Sequence, residues 1–87
     1  MPTISMFFGV IVQMYWTDHP PPHIHAYYAG FEALFAIETG RKIGGNLPPK
    51  VEKLVRNWAL ARQAELMENW ERGRLQLPFY KVPGADA

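Results

Sequence analysis

Apolar positions follow three different rhythms along the chain. Residues 4–16 carry Phe7, Phe8, Val10, Ile11, Val12, Met14 and Tyr15, aromatic and β-branched side chains on both parities. That pattern predicts one first strand covered on both faces. Residues 23–28 and 31–38 flank Ala29-Gly30, where glycine supplies the positive φ of a short hairpin turn. An even-numbered loop puts Ile24, Ala26 and Tyr28 on one face with Ala33, Phe35 and Ile37. His23, His25 and Tyr27 then share the other face with Glu32, Leu34, Ala36 and Glu38, since a strand alternates its side chains. One face of the hairpin is uniformly apolar; the other sets two histidines among two carboxylates. Thr39-Gly40 reads as a turn, residues 41–43 as a short edge strand, and Gly44-Gly45-Asn46 as the end of the meander.

Beyond Asn46 or Leu47 the period changes from two to 3.6. Pro48 and Pro49 suit the first turn of a helix, where the missing N–H has no partner to lose. Val51, Leu54, Val55 and Trp58 form one stripe, with Lys50, Lys53 and Arg56 off its centre and Glu52 to Arg56 as an i,i+4 pair. Ala59, Leu66, Met67 and Trp70 lie on a rotated direction, and Arg62 and Glu65 stand where the first stripe would continue. A straight helix cannot bury both stripes against one sheet. Either the chain bends near Arg62, or the second half, with Trp70, faces another surface such as the partner subunit of a homodimer. The tail 75–82, with Pro78 and then Pro83, reads as an edge-docked extension rather than a full strand. The expected architecture is a single α+β domain over residues 1–87. It is an antiparallel meander of three or four strands with one long, bent helix or two C-terminal helices packed on one face.

Composition narrows the function. A chain of 87 residues buries roughly 60–65% of the surface it exposes unfolded, enough for one core. A hydrophobic content of 48% excludes disorder. There is no cysteine, so any metal site must be made of histidine and carboxylate. A formal net charge of +1 gives no field that implies nucleic acid or an anionic membrane. The first apolar run has no basic residue ahead of it and is too short to span a bilayer, so a cytoplasmic location is expected. Charge is unevenly placed: within residues 1–30 only Asp18 is formally charged, and every lysine and arginine lies beyond position 40.

That lone acid opens the chemically richest segment, Asp18-His19-Pro20-Pro21-Pro22-His23-Ile24-His25. Three prolines fix three φ angles and remove three donors, which predicts a stiff, polyproline-like loop. His23 and His25, two apart on a strand, present both imidazoles to one side. A third group comes from Glu32 or Glu38 across the hairpin, or from Asp18 and His19 where the loop begins. Imidazole with carboxylate and an open position suits a divalent metal such as zinc, manganese or nickel, in the manner of hydrolytic zinc or facial-triad iron; His23, His25 and Glu32 are the expected ligands. Without metal, a histidine acts as general base near neutral pH, oriented by Asp18 or Glu32, so the candidate catalytic set is His23, His25, Asp18 and His19. The plainer alternative makes the histidines a brace against proline, Asp18 a turn residue, Glu32 and Glu38 solvated strand residues, and Trp58 and Trp70 core. Tyr27, Glu32 and an exposed Trp70 would form a binding surface.

Two known patterns are excluded. Tyr27 stands where a histidine-triad nucleotide hydrolase needs its third alternating histidine, and Ala29-Gly30 stand where a cupin needs glutamate. No Gly-rich phosphate loop, nucleophile elbow or zincin helix is present.

Met1-Pro2-Thr3-Ile4-Ser5 with Phe7-Phe8-Gly9, then Met14 through Ala26 with the Asp-His-Pro-Pro-Pro-His-Ile-His run, then Glu65-Leu66 and Asn69-Trp70, resemble a family of small bacterial proteins known only as a domain of unknown function. The resemblance spans nearly the whole chain. It implies a protein encoded beside another small domain, in an arrangement similar to a two-gene toxin-antitoxin module, with the neighbouring gene's product as partner. Gln13 and Met6 stand where relatives are expected to carry basic residues, which weakens a role for the first strand in RNA binding. The functions the resemblance and the residues leave open are a protein-binding component of such a module and a small histidine- or metal-dependent hydrolase of a phosphodiester.

Overall fold

The computed structural model describes residues 2–87; Met1, the first residue of the amino-terminal motif, lies outside them. Five strands form one antiparallel sheet in sequence order: β1 (Thr3–Phe7), β2 (Val10–Gln13), β3 (His23–Tyr28), β4 (Phe31–Ala36) and β5 (Lys42–Gly45). Two helices follow, α1 (Pro49–Ala61) and α2 (Gln63–Arg74). The fold is α+β, as the patterning predicts, with one strand more than expected.

The extra strand arises inside residues 4–16. Phe8 and Gly9, at φ 48 and φ 80, make a two-residue turn that pairs Phe7 with Val10. Ala29 and Gly30 repeat it at φ 46 and φ 85 and pair Tyr28 with Phe31. Positive φ at both central positions matches the right-handed twist of the flanking strands. The β3–β4 register is the predicted one, with Ile24 opposite Phe35 and His25 opposite Leu34. The edge strand lies slightly later than the expected 41–43.

Val10, Val12, Ile24, Ala26, Ala33 and Phe35 form the buried face, closed by Val55, Trp58 and Ala59 of α1. Trp58 packs on Phe7 with ring centroids 4.9 Å apart. Pro49 occupies the first helical turn, as expected, and Glu52 meets Lys42 of β5 at 3.3 Å in place of the predicted Arg56 pair.

The chain bends at Arg62, which has φ −109 and ψ 22. From there α2 crosses the end of the sheet. At its start the Gln63 side-chain amide donates to the carbonyls of Ile37 and Glu38 at 2.9 and 2.6 Å. At its far end the Gly73 carbonyl accepts from the Thr17 N–H at 3.2 Å. Leu66, Asn69 and Gly73 face inward, whereas Met67, expected inside, is exposed. The tail docks along the β1 edge, where the Val82 N–H donates to the Ile4 carbonyl at 2.8 Å. Buried Asn69 holds it like a strand neighbour, donating to the Tyr80 carbonyl at 2.9 Å and accepting from the Tyr80 N–H at 2.8 Å. Among the described residues no helix is long and apolar enough to cross a membrane.

Candidate functional site

Between β2 and β3 the proline loop turns the chain back, with a cis Pro20–Pro21 peptide bond in place of the expected polyproline-like path. It ends where the Ile37 N–H donates to the Pro22 carbonyl at 3.0 Å, which anchors the loop to the exit of β4. His23 follows at once. Trp70 of α2 covers it at 5.3 Å between ring centroids, leaving His23 only 6% exposed. His25, two residues on, lies beside it at 5.1 Å and meets the Tyr15 ring edge-on at 4.5 Å.

Each ring has its Nδ1 tied to an acceptor. His23 Nδ1 lies 2.7 Å from the Pro21 carbonyl, which can only accept, so this nitrogen carries the proton. His25 Nδ1 lies 3.4 Å from Glu32 Oε2, a long contact to another acceptor. Both Nε2 atoms therefore turn the same way. They stand 3.0 and 3.1 Å from one oxygen, Oδ2 of Asp18. Burial raises the Asp18 pKa, but the hydrogen bond from His25, the His19 N–H and the charges of both histidines outweigh it and hold the carboxyl below its ordinary range. Asp18 is thus a carboxylate at neutral pH. A ring that is neutral and protonated at Nδ1 presents a lone pair at Nε2 instead of donating from it, and with both rings in that form three lone pairs converge on one point. The arrangement needs protons or a cation between them.

Metal geometry fits. One ligand atom from each of Asp18, His23 and His25 lies within 4.8 Å of the others. A tetrahedral ion with bonds of ~2.0–2.1 Å separates neighbouring ligand atoms by roughly 3.3 Å. The contacts of 3.0 and 3.1 Å need open by only a few tenths of an ångström, and the third pair, between the two histidines, lies within 4.8 Å and would close toward the same spacing. Two imidazolium rings would also meet the carboxylate: each would be attracted to Asp18 by about 5 kcal/mol at 3.0 and 3.1 Å and repelled by the other by about 3 kcal/mol at 5.1 Å, at an effective dielectric constant of 20.

The structure redistributes the predicted roles. His23 and His25 do emerge side by side, and Asp18 is their common partner. Glu32, expected as the third ligand, approaches the Nδ1 side of His25, away from the Nε2 that faces Asp18. His19 stands outside the cluster: its side chain is exposed, and its backbone N–H donates to Asp18 Oδ1 at 2.8 Å. Glu38 is exposed and engages Gln63 through its carbonyl. Trp70 is a half-buried wall of the site instead of an exposed anchor.

Two contributors went unpredicted. Tyr15 links Gln13 and Tyr27: its hydroxyl donates to Gln13 Oε1 at 2.9 Å and lies 2.7 Å from the Tyr27 hydroxyl, while Gln13 donates to Thr3 Oγ1 at 3.3 Å. Burial first, then the Tyr15 hydrogen bond and the Glu32 charge, push the Tyr27 phenol far up, so it stays protonated. The signal was present in the alternation of Val10, Val12 and Met14 with Ile11, Gln13 and Tyr15, which marks a polar second face. The other contributor is a cavity of about 200 Å³ bordering Asp18, lined also by Tyr15, Thr17, Pro20, Trp70 and Arg74.

No curated protein and no solved structure matches the chain. One family does: residues 9–71 match DUF4160, a domain of unknown function. That span runs from the Phe8-Gly9 turn into α2 and holds Asp18, His23, His25, Glu32 and Trp70, so the chain belongs to the DUF4160 family.

Proposed function

We propose that the chain is a small metal-dependent hydrolase of a phosphoester, with Asp18, His23 and His25 as the ligands of one divalent ion. The observation that carries the reading is the aim of both imidazole Nε2 atoms at a single carboxylate oxygen, with each Nδ1 held by an acceptor. This is the usual support for a ligating histidine, whose other nitrogen donates to a carbonyl or carboxylate. Asp18, His23 and His25 would leave a coordination position open, and a zinc ion held by them would supply an activated water, its pKa lowered to about 7. Glu32 keeps His25 in the ligating tautomer, and Trp70 keeps water from the buried side of His23.

Titration with zinc, manganese or nickel, followed on the histidine ring resonances and on the tryptophan fluorescence that Trp70→Phe removes, tests the site. Binding is expected to move His23 and His25 while leaving His19 in place, and Asp18→Ala is expected to weaken it more than about 100-fold, because loss of an outer-shell partner alone costs 10–100-fold. Resonances that stay still, or a response shared equally by His19, would overturn the assignment. Hydrolysis of an activated phosphodiester should need the metal and vanish in His25→Ala with little change in melting temperature.

A second reading, a protein-binding component of a two-gene toxin-antitoxin-like module, is favoured by the exposed Met6, Phe8 and Phe31, which are 66%, 62% and 47% accessible. Co-expression with the neighbouring gene's product and failure to co-purify would remove it.

A further inference from the structure

The cavity beside Asp18 has the makings of a substrate site. Its volume of about 200 Å³ equals that of about seven bulk waters and lies below the drug-sized range, room for a nucleobase with its sugar and phosphoryl group reaching the border at Asp18 and Arg74. Tyr15 and Trp70 give it two aromatic walls, and Asp18 connects it to the convergent ligands. Arg74 is the only cation among its lining residues. Glu71 takes the Arg74 Nε and one Nη2 proton, which leaves three of the five guanidinium N–H donors uncommitted among the described residues.

We infer that this cavity binds a single mononucleotide, its base between Tyr15 and Trp70 and its phosphoryl group between Arg74 and an ion held by Asp18, His23 and His25. The inference rests on the metal-centre reading and names the substrate class of that site. Aromatic faces bind any base through stacking, and a guanidinium fork matches phosphate oxygens. Without the ion, the Asp18 carboxylate would repel a phosphate at the same place, so binding must depend on metal. One guanidinium and one ion neutralise one phosphoryl group. A longer strand would need a cation for each further phosphate, and the cavity lining offers none. The product or substrate is therefore a free nucleotide rather than a polymer.

Calorimetric titration of the manganese-loaded protein with adenosine 5′-monophosphate, inorganic phosphate, adenosine and a short oligoadenylate tests this, with a separate manganese titration of the same protein reporting metal occupancy. The monophosphate is expected to bind at least tenfold tighter than phosphate or adenosine and to lose its binding after chelation. Arg74→Gln is expected to weaken the monophosphate at least tenfold and leave manganese affinity unchanged. Metal uptake without preference for the monophosphate over phosphate overturns the cavity assignment alone, as does an oligoadenylate that binds tighter than the monophosphate or an Arg74→Gln variant that binds it as well as the native chain. Failure of metal uptake overturns the metal-centre reading and this one together.

Discussion

At one end of the sheet the β1–β2 and β3–β4 turns lie side by side, each a pair of positive-φ residues ending in glycine. Phe8 and Phe31 stand exposed there. At the opposite end the strands are joined by the proline loop and crossed by α2, and the polar groups of Asp18, His23 and His25 are drawn together beneath Trp70. The first end is specified by neighbours in sequence: two residues set each turn, and the turn sets the register. The second is assembled from residues up to 59 positions apart, since Arg74 and Trp70 must reach the cavity that Tyr15 and Asp18 line. Local chemistry makes the turn end, and long-range packing makes the end where the acid and the two imidazoles converge.

Substituting a tryptophan near each end sharpens this contrast most. Trp58 is almost fully buried, packs on Phe7 and donates its indole N–H to the Pro83 carbonyl at 2.8 Å. Trp58→Ala should lower unfolding free energy by about 3–5 kcal/mol in urea denaturation. Trp70 is half-buried, so Trp70→Ala should cost roughly half as much, in proportion to the apolar area lost, while weakening metal binding by exposing His23. Equal stability losses with unchanged metal affinity would mean that α2 is ordinary core cover.

Legibility in the sequence follows the same division. The β3–β4 hairpin, its register and the pairing of His23 with His25 were readable because a strand alternates with period two and Ala29-Gly30 is a recognisable turn. Two apolar stripes pointing in different directions left a bend near Arg62 and a partner-facing second half as equal alternatives, and the chain bends. The Phe8-Gly9 turn was not: Phe8, an aromatic residue within an apolar run, looks like strand until its φ of 48 is seen. Nor could alternation decide between Asp18, His19 and Glu32 as the third group. A loop has no period, and adjacent residues diverge, His19 into solvent and Asp18 onto the rings. The cavity depends on where α2 ends, with Gly73 so close to Tyr15 and Phe79 that an added Cβ would lie 3.4 Å from the Tyr15 carbonyl and 2.9 Å from the Phe79 ring.

The turn end can be challenged at Gly9, where φ is 80. Alanine there is strained by the left-handed backbone whatever space surrounds it, and Gly9→Ala should cost about 1 kcal/mol or slightly more. Metal affinity should be unaffected, because the site lies at the other end of β2. Calorimetric melting beside a metal titration checks both expectations, and a loss of metal binding would show that the ends are coupled through the sheet.

The smallest effect is expected from acid, in protein freed of metal by a chelator. Asp18 is held below its ordinary value of 3.8 in the folded chain, so folding favours its ionised form. Its stabilisation is whole above about pH 4 and is lost as the pH falls through the lower folded value, because the unfolded chain takes up the proton first. The native chain should therefore lose stability more steeply between pH 4 and pH 2 than Asp18→Asn, which keeps the side-chain shape without the charge. Urea midpoints measured across that range would show it as diverging curves. Parallel curves would mean that in the absence of metal the carboxylate gains no more from the two rings than it loses by leaving water, and that the loop end of the sheet owes its order to packing under α2 alone.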